Sequence, residues 1–253
     1  MAEGLSSATA TSWLDAIVNN TSYSNTNVWI QLHTAAPGAA GTTAIATNST
    51  RKEASFGTAS GGAITNDGTP PSWTSVPATE TYTHFTAWSA STAGSFLFSG
   101  AVTNGAVNSG DDWSIAAADL DLSFPTTAIA SGIVDELLDA MCGNGAWSSS
   151  VTTLYAQMHT ADPGTAGTSN VATETDRMAV TFGAASAGAV TSDADGTITN
   201  VSTGEDYAYF SLWTASTSGT FLWRGLITAN AVSAGNTFKI AAGDFDLSIT
   251  IVS

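Results

Sequence analysis

Cysteine is nearly absent from the 253 residues. The single Cys142 excludes an intrachain disulfide and a cysteine-rich zinc site. Basic residues are scarce too: five Lys+Arg stand against 21 Asp+Glu, a formal net charge of −16. Nucleic-acid binding needs cations against phosphate, and docking on anionic lipid needs a basic patch, so the expected partners include no nucleic acid and no membrane. Charged residues of either sign make up only 10% of the chain, against a usual share of about 25%. No apolar run approaches the ~20 residues of a membrane span. The start, Met1-Ala2-Glu3-Gly4-Leu5, has neither the cationic nor the apolar region of a secretory signal. The expectation is a soluble chain made in a reducing compartment and stabilised by packing and oligomerisation. Disorder is excluded by eight Trp, five Tyr and ten Phe within a hydrophobic share of 43%.

What the chain does contain is itself, twice. Gln31-Leu32-His33-Thr34-Ala35-Ala36-Pro37-Gly38-Ala39-Ala40-Gly41-Thr42 recurs from Gln157 to Thr168 with nine of twelve residues identical, at an offset of 126. Arg51 matches Arg177 at the same offset, and Phe56 to Thr65 matches Phe182 to Thr191. Trp88 to Leu97 matches Trp213 to Leu222 at an offset of 125, with seven of ten identical, and Ile115 to Ser123 matches Ile240 to Ser248 with seven of nine. Units of this length are domain-sized, far beyond the ~20–45 residues of a solenoid repeat. The expected domains are 1–127 and 128–253, with the boundary near Pro125.

Periodicity assigns the elements. Trp13 to Val18, preceded by Thr11-Ser12, and Ile133 to Met141, preceded by Ser131, read as helices with hydroxyl caps. Ile133, Leu137 and Met141 form an apolar stripe spaced by four, and Gly143 supplies a stop. That stripe is a candidate interface, to be covered by its own sandwich or by a neighbour. The rest reads as short strands: Tyr82 to Trp88, Ser95 to Val102, Asp112 to Ile115 and Leu120 to Phe124, with equivalents at Tyr207 to Trp213, Thr220 to Ile227, Thr237 to Ile240 and Phe245 to Ile251. Alternation in the last, with Phe245, Leu247, Ile249 and Ile251 against Asp246, Ser248 and Thr250, has period two. The fold class is mainly β: two tandem antiparallel β-sandwich, jelly-roll-like domains, each with a short N-terminal helix.

Catalytic chemistry finds little footing. His33 and His159 match, but no His-x-His, His-x-x-x-His or Cys-His spacing accompanies them, and His84 becomes Tyr209 in copy 2. There is no nucleophile elbow, phosphate loop or dinucleotide fingerprint. The Pro37 to Gly41 and Pro163 to Gly167 segments read as tight surface loops. No catalytic residue, cofactor or metal is assigned. Asp119 with Asp121, and Asp244 with Asp246, place two carboxylates on one strand face. Either they cap a turn and face water, or they contribute to a calcium site. Arg51 and Arg177, the one basic position kept in both copies, are candidates for ion pairs with Glu80 and Glu205; an inter-subunit pair is the alternative. The tryptophans are expected in the core, with a sugar-stacking platform as the other reading.

His159-Thr160-Ala161-Asp162-Pro163-Gly164-x-Ala166-Gly167-Thr168, Arg177, Trp213-x-Ala215-Ser216-Thr217-x-Gly219-x-Phe221-Leu222 and Ile240-Ala241-Ala242-Gly243-Asp244-Phe245-Asp246-Leu247-Ser248 together resemble a family of small β-rich structural proteins of tailed bacteriophages. Its members carry tail-fibre, minor structural or head-decoration labels. Copy 1 departs from the pattern at Ala36 and Ala118. The resemblance implies a non-enzymatic virion protein, assembled in the host cytoplasm. The expected role is a capsid decoration (cement) protein bound to the major capsid protein lattice. A tail or tail-fibre component, bound to tail proteins, is the alternative, and a carbohydrate-binding module the rival from another class. A homo-oligomer, a trimer presenting six copies, suits a local three-fold site.

With no ligand cluster in the sequence, chelation with EDTA is expected to leave the melting temperature unchanged. A drop of several degrees would assign the paired aspartates to a metal.

Overall fold

The computed structural model describes residues 4–124, 128–148 and 153–251. Copy 1 runs β1 (Gly4–Leu5), α1 (Ser7–Val18), β2 (Val28–His33), β3 (Lys52–Phe56), β4 (Ala63–Asp67), β5 (Ser72–Trp73), β6 (Glu80–Trp88), β7 (Phe96–Val107), β8 (Trp113–Ser114) and β9 (Asp121–Ser123). Copy 2 runs α2 (Ser131–Cys142), β10 (Leu154–His159), β11 (Met178–Val180), β12 (Ala189–Thr191), β13 (Gly196–Ile198), β14 (Glu205–Trp213), β15 (Phe221–Val232), β16 (Phe238–Ile240) and β17 (Asp246–Ser248).

The first copy forms a curled sheet in the order β1-β7-β6-β2-β3-β4-β9, with β5–β8 as a separate ribbon. The second repeats it as β11-β10-β14-β15 and β12-β17, joined by the Phe182–Ser192 bridge, with β13–β16 as the ribbon. The named strand pairs are antiparallel. Each copy is thus a β-sandwich, closed over rings such as Tyr82 on Trp113 (5.0 Å) and Tyr207 on Phe238 (4.7 Å). The period-two expectation holds in β17, where Leu247 is buried between exposed Asp246 and Ser248.

The long hairpins carry the same irregularity in both copies. Tyr82 faces Gly105 while His84 faces Ala101, and Tyr207 faces Asn230 while Tyr209 faces Leu226. Extra residues on the longer strand form a bulge, and pairing continues beyond it. β7 and β15 therefore end at Val107 and Val232, five residues past the expected Val102 and Ile227. In copy 1 glycine permits the close approach, since a Cβ at Gly105 would lie 1.9 Å from the Tyr82 carbonyl oxygen; copy 2 has Asn230 at this register position.

Both helix starts differ from expectation. α1 begins at Ser7, and its cap is Ser6, whose Oγ accepts from Thr9 N (3.1 Å). The Ser6 hydroxyl also donates to Phe96 O (2.6 Å), a tertiary bond invisible to local patterning. Ser131 is the first helical residue of α2 rather than its cap, and Ala130 at the cap makes no side-chain bond. The far end is as expected, with Gly143 left-handed at φ 88°.

The strands of each sheet come from one copy, but the helices cross over. α2 packs on β4 of copy 1, and α1 packs on both β7 of its own copy and β12 of copy 2. Asp139 accepts from Ala59 N (2.8 Å), and Asp135 accepts from Gly61 N (3.1 Å) and Gly62 N (2.6 Å). In the other direction Asp15 accepts from Ala185 N (2.8 Å), and Thr11 Oγ1 accepts from Gly188 N (3.2 Å). One continuous apolar cluster consequently runs through both copies. The stripe Ile133, Leu137 and Met141, a candidate interface between chains, is buried inside this one chain, with Leu137 at 0% exposure.

Leu137→Ala is expected to cost about 2–5 kcal/mol, the usual range for truncating a buried leucine. Urea unfolding checks it; a loss below about 0.5 kcal/mol, as at surface positions, would show that the stripe is not packed as described.

Candidate functional site

A histidine, a tryptophan and an arginine kept in both copies converge at one place on each sheet, apart from the main apolar core. His33 ends β2, and Thr86 and Trp88 lie on the adjacent β6. His33 Nδ1 lies 2.7 Å from Thr43 O, and a carbonyl only accepts, so Nδ1 carries the proton. Nε2 of the neutral ring then accepts from Thr86 Oγ1 (2.8 Å), and that hydroxyl accepts from Trp88 Nε1 (2.8 Å). Copy 2 repeats the relay: His159 Nδ1 donates to Ser169 O (2.8 Å), Ser211 Oγ donates to Nε2 (2.7 Å), and Trp213 Nε1 donates to Ser211 Oγ (2.7 Å). Thr86 and Ser211 differ, yet both supply the hydroxyl that the relay needs.

Arginine completes the clip. The Arg51 guanidinium sits 3.8 Å over the Trp88 ring and donates to Ala90 O (2.9 Å) and Ala93 O (2.6 Å). Arg177 sits 4.0 Å over Trp213 and donates to Ala215 O (2.8 Å) and Ser218 O (2.6 Å). Ala93 and Ser218 have φ of 53° and 56°, left-handed values that cost a non-glycine residue energy, and the arginine ties those turns down. Phe96 stacks on Trp88 (5.4 Å) and Phe221 on Trp213 (5.5 Å). The Pro-Gly loops rest on these rings. A Cβ at Gly41 would meet Phe96 at 3.0 Å and one at Gly167 would meet Phe221 at 2.5 Å, so only glycine allows the approach.

The expected ion pairs are not formed. Arg51 and Arg177 serve backbone carbonyls, while Glu80 accepts from Thr47 N (3.2 Å) and Oγ1 (3.0 Å), and Glu205 from Thr173 N (2.8 Å) and Oγ1. Each glutamate anchors the far end of the Pro-Gly loop instead. Charge complementarity suggested a pair, but the acceptors were carbonyls, which composition does not reveal. The described salt bridges are Arg224–Asp162 and Lys239–Asp195, both in copy 2. Copy 1 has Ser99 and Ala36 at the positions of Arg224 and Asp162.

Asp119, Asp121, Asp244 and Asp246 are exposed. Asp244 caps its own turn by accepting from Ala241 N (3.2 Å). Among the described residues no group of three or more His, Cys, Asp or Glu side chains is placed to hold a metal. His84 is half-buried and bonded to Thr83 (2.9 Å). Burial pushes the Cys142 thiol well above its ordinary range, which keeps it protonated and unreactive. It borders a groove of about 590 Å³ between the copies, lined also by Lys52, Glu53, Pro70 and Asn144, with no nucleophile–base pair. Trp13, Trp73, Trp88, Trp147, Trp213 and Trp223 are buried, as expected of core residues, whereas Trp29 and Trp113 are half-buried, Trp29 against the Trp88–Phe96 pair and Trp113 against Trp73 and Tyr82.

Such a molecule, a tandem β-sandwich in which the shared histidine, tryptophan and arginine of each copy bind its own loops and strands, falls in the class of structural proteins. The chain belongs to the family of the podophage GP4 fiber I protein gp80, whose model matches residues 4–123 and again residues 129–248. No curated protein matches it.

Burial holds both His33 and His159 below the ordinary imidazole value of 6.5, opposed by the carbonyl that accepts from Nδ1. Arg51 and His84 push the same way in copy 1, as Arg177 does in copy 2, where Asp162 works against it. The unfolded chain then binds more protons below pH ~6.5, so this contribution to stability is complete above that pH and lost as pH falls towards the depressed native values. Urea unfolding at pH 7.5, 6 and 5 is expected to show the decline, reduced in His33→Gln/His159→Gln. Identical pH dependence of parent and double variant would sink this account.

Proposed function

We propose that the protein is a non-enzymatic structural component of a phage tail fibre. The observation that carries this reading is the match of a fibre-protein family to both copies, over nearly the whole chain. The geometry supports it: histidine, tryptophan and arginine side chains shared by the copies brace loops against a sheet. The fibre family favours the tail over the capsid lattice, so tail-fibre component replaces capsid decoration as the reading of choice. Its partners are then other tail proteins of the virion and further copies of the chain, with a trimer as the proposed oligomer.

A rigid, protease-poor body suits an exposed appendage. Only five Lys+Arg occur in the chain, and the net charge of −16 keeps it soluble before assembly and away from packaged DNA.

Immunogold labelling of intact particles with an antibody against the purified chain tests the placement. Label is expected at the tail appendages; label distributed over the head would restore the decoration reading and overturn this one.

A further inference from the structure

The two copies touch in a way that tandem domains on a string do not. Tyr23 and Trp147 occupy equivalent positions, at an offset of 124, in the segments that follow α1 and α2. They pair with each other: Tyr23 N donates to Trp147 O (3.0 Å), and Trp147 N donates to Tyr23 O (2.8 Å). Equivalent residues that pair reciprocally lie on a local two-fold axis.

The helix contacts obey the same axis. Asp15 and Asp139 are equivalent, and they accept from Ala185 N and Ala59 N, which are also equivalent. Thr11 and Asp135 stand in the same relation to Gly188 N and Gly62 N. Asn19 donates to Gly183 O (2.8 Å); on the matching carbonyl of copy 1, Gly57 O, the donor is Asn144, one residue past Gly143, the counterpart of Asn19. If a residue of copy 1 meets one of copy 2, its counterpart in copy 2 meets the counterpart in copy 1. That is the definition of an isologous interface, here built within a single chain.

We infer that the surface on each sheet covered by the opposite helix is a docking site for a second copy of the repeat, and that the chain is a covalently joined two-fold dimer. The occupant is a repeat rather than an unrelated protein, because both halves of the contact are present and match. Backbone donors at 59, 61, 62, 185 and 188 are satisfied by side chains of the other copy, so a lone repeat leaves them to water. The part of α2 that packs on β4 of copy 1 would likewise lose its cover. The covalent link adds local concentration to this contact without creating it. The inference holds whether the particle carries the chain on tail or head.

The test keeps the full chain. A protease site is substituted for residues 125–127, the protein is cleaved completely, and its native mass is measured by light scattering at micromolar concentration. The expected result is a single species with the 25.6 kDa mass of the intact chain and one cooperative melt, although a denaturing gel shows two pieces. Separation into two folded halves overturns the inference. So does separation into unfolded halves, since a docking site must hold its partner without the link.

Discussion

A helix carboxylate reaching across to the backbone of the other copy is the contact on which the rest depends. Asp139 on Ala59 N and Asp15 on Ala185 N each anchor the loop that leads into a sheet's β4 or β12 strand. Those loops turn through Gly61, Gly62 and Gly188, all left-handed, and each is closed on itself by a reciprocal backbone pair, Ser60 with Ala63 and Ser186 with Ala189. The helix supplies an acceptor where the sheet has a donor, and its apolar side covers the strand behind. Each copy does this for the other. The joined core follows from that exchange: the helices are buried on several sides because two sheets claim them.

At the other side of each sheet the clip of histidine, hydroxyl, tryptophan and arginine performs a comparable task without crossing copies. It ties two loops, 34–46 and 89–95, to the strand ends, through bonds whose partners are mainly backbone carbonyls. These residues are among those that make the repeat visible in the sequence. Their hydrogen bonds run to strands and loops of their own copy. Membership of a phage fibre family agrees with a molecule whose repeated pattern encodes shape.

Much of this was legible from the residues. The repeat, the strands, the Gly143 stop and the buried tryptophans follow from offsets and periodicity, and β6 and β14 sit where alternation placed them. The start of α1 did not, because Ser6 is recognised as a cap only through its bonds to Thr9 and Phe96 O. The arginine partners were missed because carbonyl acceptors carry no sequence signature. Strand lengths fell short at the bulges: the expected ends, Val102 and Ile227, lie within them, and pairing resumes beyond. The helix exchange was the least accessible feature: a stripe such as Ile133, Leu137 and Met141 states that it must be covered, and says nothing of which copy covers it.

Hydrogen–deuterium exchange on the intact chain, comparing Asp139→Ala with the parent, tests mutual completion most directly. The account predicts that protection falls in residues 57–67 of copy 1, more than 70 positions from the substitution, while residues 183–191 of copy 2 keep theirs. Loss of protection confined to the strands of copy 2 would contradict it.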